Sequence, residues 1–123
     1  MTTWRSALLS VAGLVACVSA SAHHGGAAYD SSKEVVLKAV VQKFVWANPH
    51  CTISFDVKDE DGNVVHWASE LSSPSALSLV GWTRTSLQPG DTITIYIHQA
   101  KTGRPVGRMT HIVLSDGSSL KDG

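Results

Sequence analysis

The sequence predicts an all-β domain with one short helix, arranged as an OB-like five-stranded Greek-key barrel. Apolar and polar residues alternate along five segments of strand length. A helical segment that begins at a proline falls between the third and the fourth of these segments. This order of strands and helix is typical of OB-type barrels, whereas a seven-stranded sandwich would need more strands.

The first residues are expected to form a signal peptide rather than part of the domain. Arg5 precedes an apolar run over 7–18, and a small-x-small motif that ends at Ala22 fits a signal peptidase. The sequence therefore predicts a signal peptide over 1–22 and a single domain over 23–123. The predicted location is the periplasm or the exterior of the cell.

Two other processing sites stay open. A cut after Ala20 also fits a signal peptidase, and the four residues that end at Cys17 match a lipoprotein box. Processing there would leave a lipidated Cys17, which would attach the protein to a membrane. A cut after Ala22 instead removes Cys17 and leaves Cys51 alone, which excludes an intramolecular disulfide.

The composition excludes several classes of protein. Ten Lys and Arg balance ten Asp and Glu among 123 residues, so the basic surface of a nucleic-acid-binding protein is missing. Removing residues 1–22 takes away one base and no acid, which leaves 101 residues with a net charge of −1. With 43% hydrophobic and 16% charged residues, the sequence is typical of a folded domain.

The first predicted strands differ in length. Residues 34–46 are rich in β-branched and aromatic residues and are too many for one flat strand, which indicates a bend or a bulge. Residues 51–58 alternate, with Cys51, Ile53 and Phe55 on the face expected to point inward. The domain is expected to begin with a flexible segment that extends to about residue 32.

Turn and cap residues divide the rest of the chain. Asp61-Gly62 is a hairpin turn pair that leads into a third strand over 64–71. Ser73 is the predicted N-cap of a helix that begins at Pro74 and runs through about residue 80. The remaining strands are predicted over 92–98 and 106–114, and a short tail follows.

Several short motifs follow the predicted signal peptide in a fixed order. They are His23-His24, Asn48-Pro49-His50, Trp67 with Glu70, Gly81-Trp82 with Arg84, and Pro89-Gly90-Asp91. In this order they resemble a family of small exported bacterial proteins that is catalogued as a domain of unknown function. The resemblance implies a periplasmic β-barrel and brings no established activity.

The histidine content is the first indication of chemistry. All six histidines follow the predicted signal peptide. A cut after Ala22 would make His23 the N-terminal residue, whose α-amine and imidazole can chelate one metal ion. His24 or His50 would complete a set of nitrogen ligands, and such a set suits Cu(II). The sequence therefore predicts copper as the cofactor, with a loose polar N-terminus that binds no metal as the alternative.

Other residues are candidates for supporting the metal ligands or for forming a binding face. His66 and Glu70 lie on one face of the third strand, as a pair that supports a metal ligand or as a surface pair. His111 is expected to alternate with Met109, and a set of His and Met would suit copper. A packed core methionine is the commoner explanation for Met109.

Aromatic residues provide an alternative function. Trp67, Trp82 and Arg84 are candidates for a barrel face that docks onto another exported protein or a small apolar ligand. Arg84 would stack on an indole or pair with Glu70, and the sequence does not choose between these. No nucleophile motif, zinc-hydrolase motif or phosphate loop is present, so a binding protein without catalytic activity is predicted.

Overall fold

A computed structural model describes residues 26–123. Six strands and one α-helix follow a short 3₁₀ turn at Gly26–Ala28. The strands are β1 (Val35–Val45), β2 (Thr52–Lys58), β3 (Val64–Glu70), β4 (Thr92–Gln99), β5 (Val106–Leu114) and β6 (Ser119–Lys121). The helix, α1 (Pro74–Leu79), lies between β3 and β4. No helix among these residues is long and apolar enough to cross a membrane.

The first five strands close into a mixed β-barrel. The sheet order is β3-β2-β1-β4-β5-β6, and an additional pairing of β3 with β5 closes it. This closing pair is parallel and joins Ala68–Glu70 to Val106–Arg108, whereas the other pairings are antiparallel. The predicted all-β class, single short helix and five-stranded barrel are therefore confirmed. The strand order and the position of α1 fit the OB-like arrangement.

Strand β1 is long, and its two halves pair with two different strands. Its first half pairs with β4 from Val35 to Val40, and its second half pairs with β2 from Val40 to Val45. The register with β2 shifts between Val41 and Lys43, which confirms the predicted bulge. An extra residue bends a strand and increases its twist, so one strand can curve around the barrel wall.

The predicted turn and cap residues perform their expected roles. Gly62 has a φ of +82° in the β2–β3 hairpin, a conformation that glycine adopts without a steric penalty. The Asp59 carboxylate accepts hydrogen bonds from the backbone N–H groups of Asp61 and Asn63. At α1, the Ser73 hydroxyl accepts a bond of 3.3 Å from the Ala76 N–H. These local bonds fix the hairpin and the start of the helix.

The barrel interior is filled by residues from every strand of the barrel and by the helix region. Its largest buried side chains include Trp82, Phe55, Ile53, Leu71, Leu77 and Met109. Cys51 points inward with its neighbours Ile53 and Phe55, as the alternation predicts. Burial also raises the pKa of the Cys51 thiol above its ordinary value, which disfavours the reactive thiolate.

Glycine is required where β4 and β5 meet next to the closing pair. Gly107 pairs with Gln99, and a Cβ placed on it would lie 2.8 Å from the His98 carbonyl oxygen. The same atom would lie 2.9 Å from Cδ1 of Ile97. A larger residue would therefore push the two strands apart at the point where the barrel closes.

Strand β5 contains a bulge that the sequence pattern did not indicate. Tyr96 pairs with His111, but the next residue, Ile97, pairs with Met109, so Thr110 is an extra residue. His111 and Met109 therefore do not share a face of β5, and the expectation that they alternate along one face is wrong. Met109 is buried in the core, while His111 stacks on Tyr96 with ring centroids 3.9 Å apart. The bulge separates the two side chains that a copper site would need together.

The predicted short tail is in part a sixth strand. Residues 119–121 pair with β5, from Val113↔Ser119 to His111↔Lys121. Only three residues take part, so alternation alone is too short to predict this strand. We call residues 119–123 the C-terminal tail.

Candidate functional site

The chain that follows the histidine pair is attached to the barrel beside the β4–β5 loop. His23 and His24 themselves lie outside the described residues. The Asp30 N–H donates a 2.8 Å hydrogen bond to the Gln99 carbonyl, and the Lys101 N–H donates one of 3.1 Å to the Ala28 carbonyl. We call residues 28–30 the N-terminal arm. It fixes where the chain leading back to the histidine pair leaves the barrel.

Tyr29 attaches the arm to β3. Its hydroxyl donates a 3.0 Å hydrogen bond to Oε2 of Glu70. Burial raises the pKa of Tyr29 to about 12, and the hydrogen bond to Glu70 and the negative charge of Glu70 act in the same direction. Tyr29 therefore remains a neutral donor at physiological pH.

A second polar group lies next to Glu70 on the neighbouring strand. Arg108 pairs with Glu70 across the parallel β3–β5 ladder, but its side chain turns to the C-terminal tail. Its Nη2 lies 2.8 Å from Oδ2 of Asp122 and donates to the Ser72 hydroxyl at 3.1 Å. Glu70 and Arg108 are thus bound by different partners although their strands are adjacent.

These elements enclose a cleft of about 420 Å³ on the outside of the barrel. Its walls come from the arm, the start of β2, the end of β3, the β4–β5 loop and the start of β5. Half of the lining residues are small and apolar, and Glu70 is the one acidic group among them. In OB-type barrels, ligands bind on the second and third strands and the adjoining loops, which is the part of the barrel that this cleft occupies.

His50 lies at the end of the loop that leads into β2. Its Nδ1 is 3.2 Å from the carbonyl oxygen of Leu71, and the residue is exposed. A carbonyl oxygen only accepts hydrogen bonds, so in the neutral ring Nδ1 carries the proton and Nε2 carries the lone pair. Histidines that bind metals are held in this way, with the other ring nitrogen donating to a carbonyl or a carboxylate.

His66 does not pair with Glu70, because each of them has a different partner. Nδ1 of His66 lies 2.5 Å from Oδ1 of Asp56, its cross-strand neighbour on β2. The His66 side chain is 83% exposed, so this is a surface pair. The sequence interpretation in which His66 and Glu70 support one metal ligand has no contact in the structure.

Two further histidines lie on the outer face of β4 and β5. Nδ1 of His98 is 3.0 Å from the Lys33 carbonyl oxygen, so His98 also presents Nε2. Nδ1 of His111 contacts the hydroxyl of Thr110, which itself donates to Glu34. Among residues 26–123, no three His, Cys, Asp or Glu side chains form a group that could hold a metal ion.

The aromatic candidates contact different parts of the barrel. Trp67 is half-buried and stacks on Phe55, with ring centroids 6.3 Å apart. Trp82 is buried against Phe44, and its indole N–H donates to the Lys121 carbonyl at 2.8 Å. Arg84 is exposed and, among the described residues, forms no ion pair with Glu70. The structure therefore does not assemble these residues into one exposed aromatic face.

Sequence reasoning missed Tyr29, Arg108 and Asp122 as parts of this region. None belongs to a recognisable motif, and their partners lie 41 residues away for Tyr29 and 14 residues away for the Arg108–Asp122 pair. The bond of His98 to Lys33 likewise joins residues 65 positions apart. Only the tertiary fold reveals these contacts.

Comparisons with known proteins identify a family but no activity. The model of DUF6152, described as a family of unknown function, matches residues 11–109. No curated protein and no solved structure matches the chain.

Proposed function

The chain belongs to the family of unknown function DUF6152, whose membership supplies no activity, and from its own geometry we propose that it is an exported copper-binding protein. The proposed ligands are His23, His24 and His50. The protein binds the metal without catalysing a reaction, and it acts in the periplasm or outside the cell.

The observation that carries the proposal is the fixed orientation of the His50 ring. Its Nδ1 donates to the Leu71 carbonyl, so an unprotonated Nε2 is available on an exposed ring. A preset tautomer and ring orientation lower the cost of binding a metal ion. Nε2 of His50 is thus oriented to act as a further ligand of a metal ion that other residues also bind.

The N-terminal arm supports the same ligand set by limiting how far the histidine pair extends. Tyr29 is bonded to Glu70, and the Leu71 carbonyl that holds His50 belongs to the next residue. His24 precedes Tyr29 by five residues, a span of at most roughly 18 Å between their Cα atoms. In this proposal the chain between them lets the pair reach His50.

Processing completes the site in this proposal. After a cut at Ala22, the α-amine and the imidazole of His23 chelate Cu(II), and His24 and His50 supply further imidazole nitrogens. After a cut at Ala20, His23 would be the third residue, and it would bind through the amine, backbone nitrogens and imidazole. Lipidation at Cys17 would attach the protein to the membrane and block the amine.

The test begins with the mature protein. The full chain is expressed with its own leader, the N-terminus of the purified product is determined by mass spectrometry, and Cu(II) is titrated against a competing chelator. The double variant His23→Ala, His24→Ala is expected to lose at least 100-fold in affinity. His50→Ala is expected to lose about tenfold, the range that loss of a ligand or of its support produces.

Two matched variants make the test specific. His66→Ala removes an exposed histidine that is paired with Asp56, and it should leave the affinity unchanged. His98→Ala is the stricter control because His98 also presents Nε2. A loss in His98→Ala equal to that in His50→Ala would contradict the assignment of His50. A mature N-terminus at Cys17, or wild-type affinity in the double variant, would overturn the proposal.

A further inference from the structure

We propose that the cleft between the N-terminal arm and the β3–β5 ladder binds a small organic amine, with the carboxylate of Glu70 as the counter-ion of its ammonium group. Of the proposed copper ligands, His50 does not line the cleft, so the two proposals rest on different described side chains. The ligand class follows from the shape, charge and free hydrogen-bonding groups of the cleft.

The shape of the cleft suits a compact apolar body. Its volume of about 420 Å³ falls within the range of small-molecule sites, roughly 300–1,000 Å³. Ala28, Ala68, Ala100 and Val106 line it with small apolar side chains, so space is left where larger side chains would fill it. The lining residues come from separate segments of the chain.

The charge of the cleft favours a cation. No Lys or Arg nitrogen within residues 26–123 lies within 4.0 Å of the Glu70 carboxylate. The nearby Arg108 is neutralised by Asp122, and Tyr29 is a neutral phenol. Glu70 thus has no ion-pair partner among the described residues, and in its half-buried position an opposite charge is favourable and an anion is repelled.

The hydrogen-bonding groups indicate an ammonium group rather than a metal ion. Tyr29 donates to Oε2 of Glu70, and no described residue donates to Oε1. Thr52, whose hydroxyl can accept a hydrogen bond, is also a lining residue. An ammonium group has three N–H donors and can use both acceptors. A metal ion would need several strong ligands, and Glu70 is the one carboxylate that lines this cleft.

Three probes of similar size distinguish the effect of ligand charge on binding from the effect of ligand shape. Phenethylamine, 3-phenylpropan-1-ol and 3-phenylpropionate share an apolar body and differ in the charge of their polar group. Binding is measured by calorimetry on the purified full-length product in the presence of EDTA. Phenethylamine is expected to bind saturably, at least tenfold more tightly than the alcohol, and the carboxylate is expected not to bind.

Two variants locate the binding. Glu70→Gln keeps the size of the side chain and should weaken phenethylamine binding at least tenfold, whereas Glu60→Gln, in the exposed β2–β3 hairpin, should have no effect. Ala68→Leu fills the cleft while keeping Glu70, so it should abolish binding even if Glu70→Gln proves unstable. Circular dichroism establishes that each variant is folded.

The outcomes are distinct from those of the copper titration. The double variant His23→Ala, His24→Ala should retain phenethylamine binding, because the cleft walls lie within residues 28–107. Loss of amine binding in that variant would overturn the cleft proposal. Equal binding of the amine and the carboxylate probe, or full binding in both Glu70→Gln and Ala68→Leu, would also overturn it.

Discussion

The two terminal segments of the barrel both pack beside the β3–β5 ladder, but they are attached to it in different ways. The C-terminal tail adds a strand to the sheet and contributes a partly buried ion pair. The N-terminal arm is attached by two backbone hydrogen bonds and the bond from Tyr29 to Glu70. The tail therefore belongs to the stable framework, while the arm is a lightly attached wall of the cleft.

The bonds of the tail connect three parts of the fold. Lys121 accepts from the Trp82 indole, and the Asp122 N–H donates to Thr110 on β5. The Asp122 carboxylate binds Arg108 and accepts a 2.7 Å bond from the Ser72 N–H. Loss of the tail would thus affect the core tryptophan, the β3–α1 connection and β5 together.

The arm has no comparable connection to the core. Ala28 is exposed and Tyr29 and Asp30 are only partly shielded from solvent, and none of the three belongs to the hydrophobic core. Segments with few buried apolar contacts open with small free energies. Such a segment can separate from the cleft while the barrel stays folded.

The largest expected effect is on the tail. Asp122→Ala removes the carboxylate that binds both Arg108 and the Ser72 N–H, and it leaves Arg108, whose side chain is 30% exposed, without its counter-charge. We expect the free energy of unfolding to fall by about 2–3 kcal/mol, somewhat less than for a fully buried pair. Urea denaturation followed by tryptophan fluorescence measures this change.

The matched control for Asp122 is an acid outside any such network. Glu60→Ala lies in the exposed β2–β3 hairpin and should change the unfolding free energy by less than about 0.5 kcal/mol. If Asp122→Ala were as mild as Glu60→Ala, the tail would not be part of the framework. The contrast between tail and arm would then be lost.

A smaller effect is expected when the arm is released from Glu70. Tyr29→Phe removes one partly exposed hydrogen bond and should lower the unfolding free energy by no more than about 1 kcal/mol. Hydrogen exchange should accelerate at the amides of Asp30 and Lys101, whose N–H groups form the two backbone hydrogen bonds that attach the arm to the barrel. Exchange at the buried strand residue Ile95 should accelerate less, by no more than the small loss of unfolding free energy requires. Equal acceleration at Ile95 would show that the arm is coupled to the whole barrel.

The strands of the barrel were predictable because local pattern and burial agree along them. The inward face that includes Cys51, Ile53 and Phe55, the bulge in β1, and the Ser73–Pro74 helix start all follow from the residue types at those positions. The β5 bulge was not predictable, because the extra residue Thr110 belongs to an ordinary run of strand-forming residues. One such residue reverses the face of every side chain beyond it, as it does for His111.

The site was less predictable than the fold, because its contacts join distant segments. The sequence indicated His50 and Glu70 as candidates. Their hydrogen-bond partners, Leu71 and Tyr29, depend on how the loops and the arm pack against the barrel. From the sequence, Trp67 and Trp82 are equally good candidates for an exposed binding face. In the structure Trp67 is half-buried, whereas Trp82 is a core residue.

The smallest expected effect, the titration of Tyr29, tests whether the arm is closed over Glu70 in solution. The chain has two tyrosines, and a Tyr96→Phe background leaves Tyr29 alone. With the arm closed, the ultraviolet absorbance of the phenolate should rise near pH 12 rather than near the ordinary pKa of 10.0, because burial disfavours the charged form. Glu70→Gln should lower this pKa without restoring 10.0, since burial is the largest cause of the shift.

The sign of the linkage follows from the raised pKa. The folded protein holds the phenolic proton more tightly than the unfolded chain, so this contribution to stability is fully present below pH 10. It decreases as the pH rises from 10 towards 12, the pKa of Tyr29 in the folded state. Titration of Tyr29 near pH 10 would instead show that the arm is mostly open. The cleft would then lack the wall that Tyr29 provides, and the arm would not be attached to Glu70 in solution.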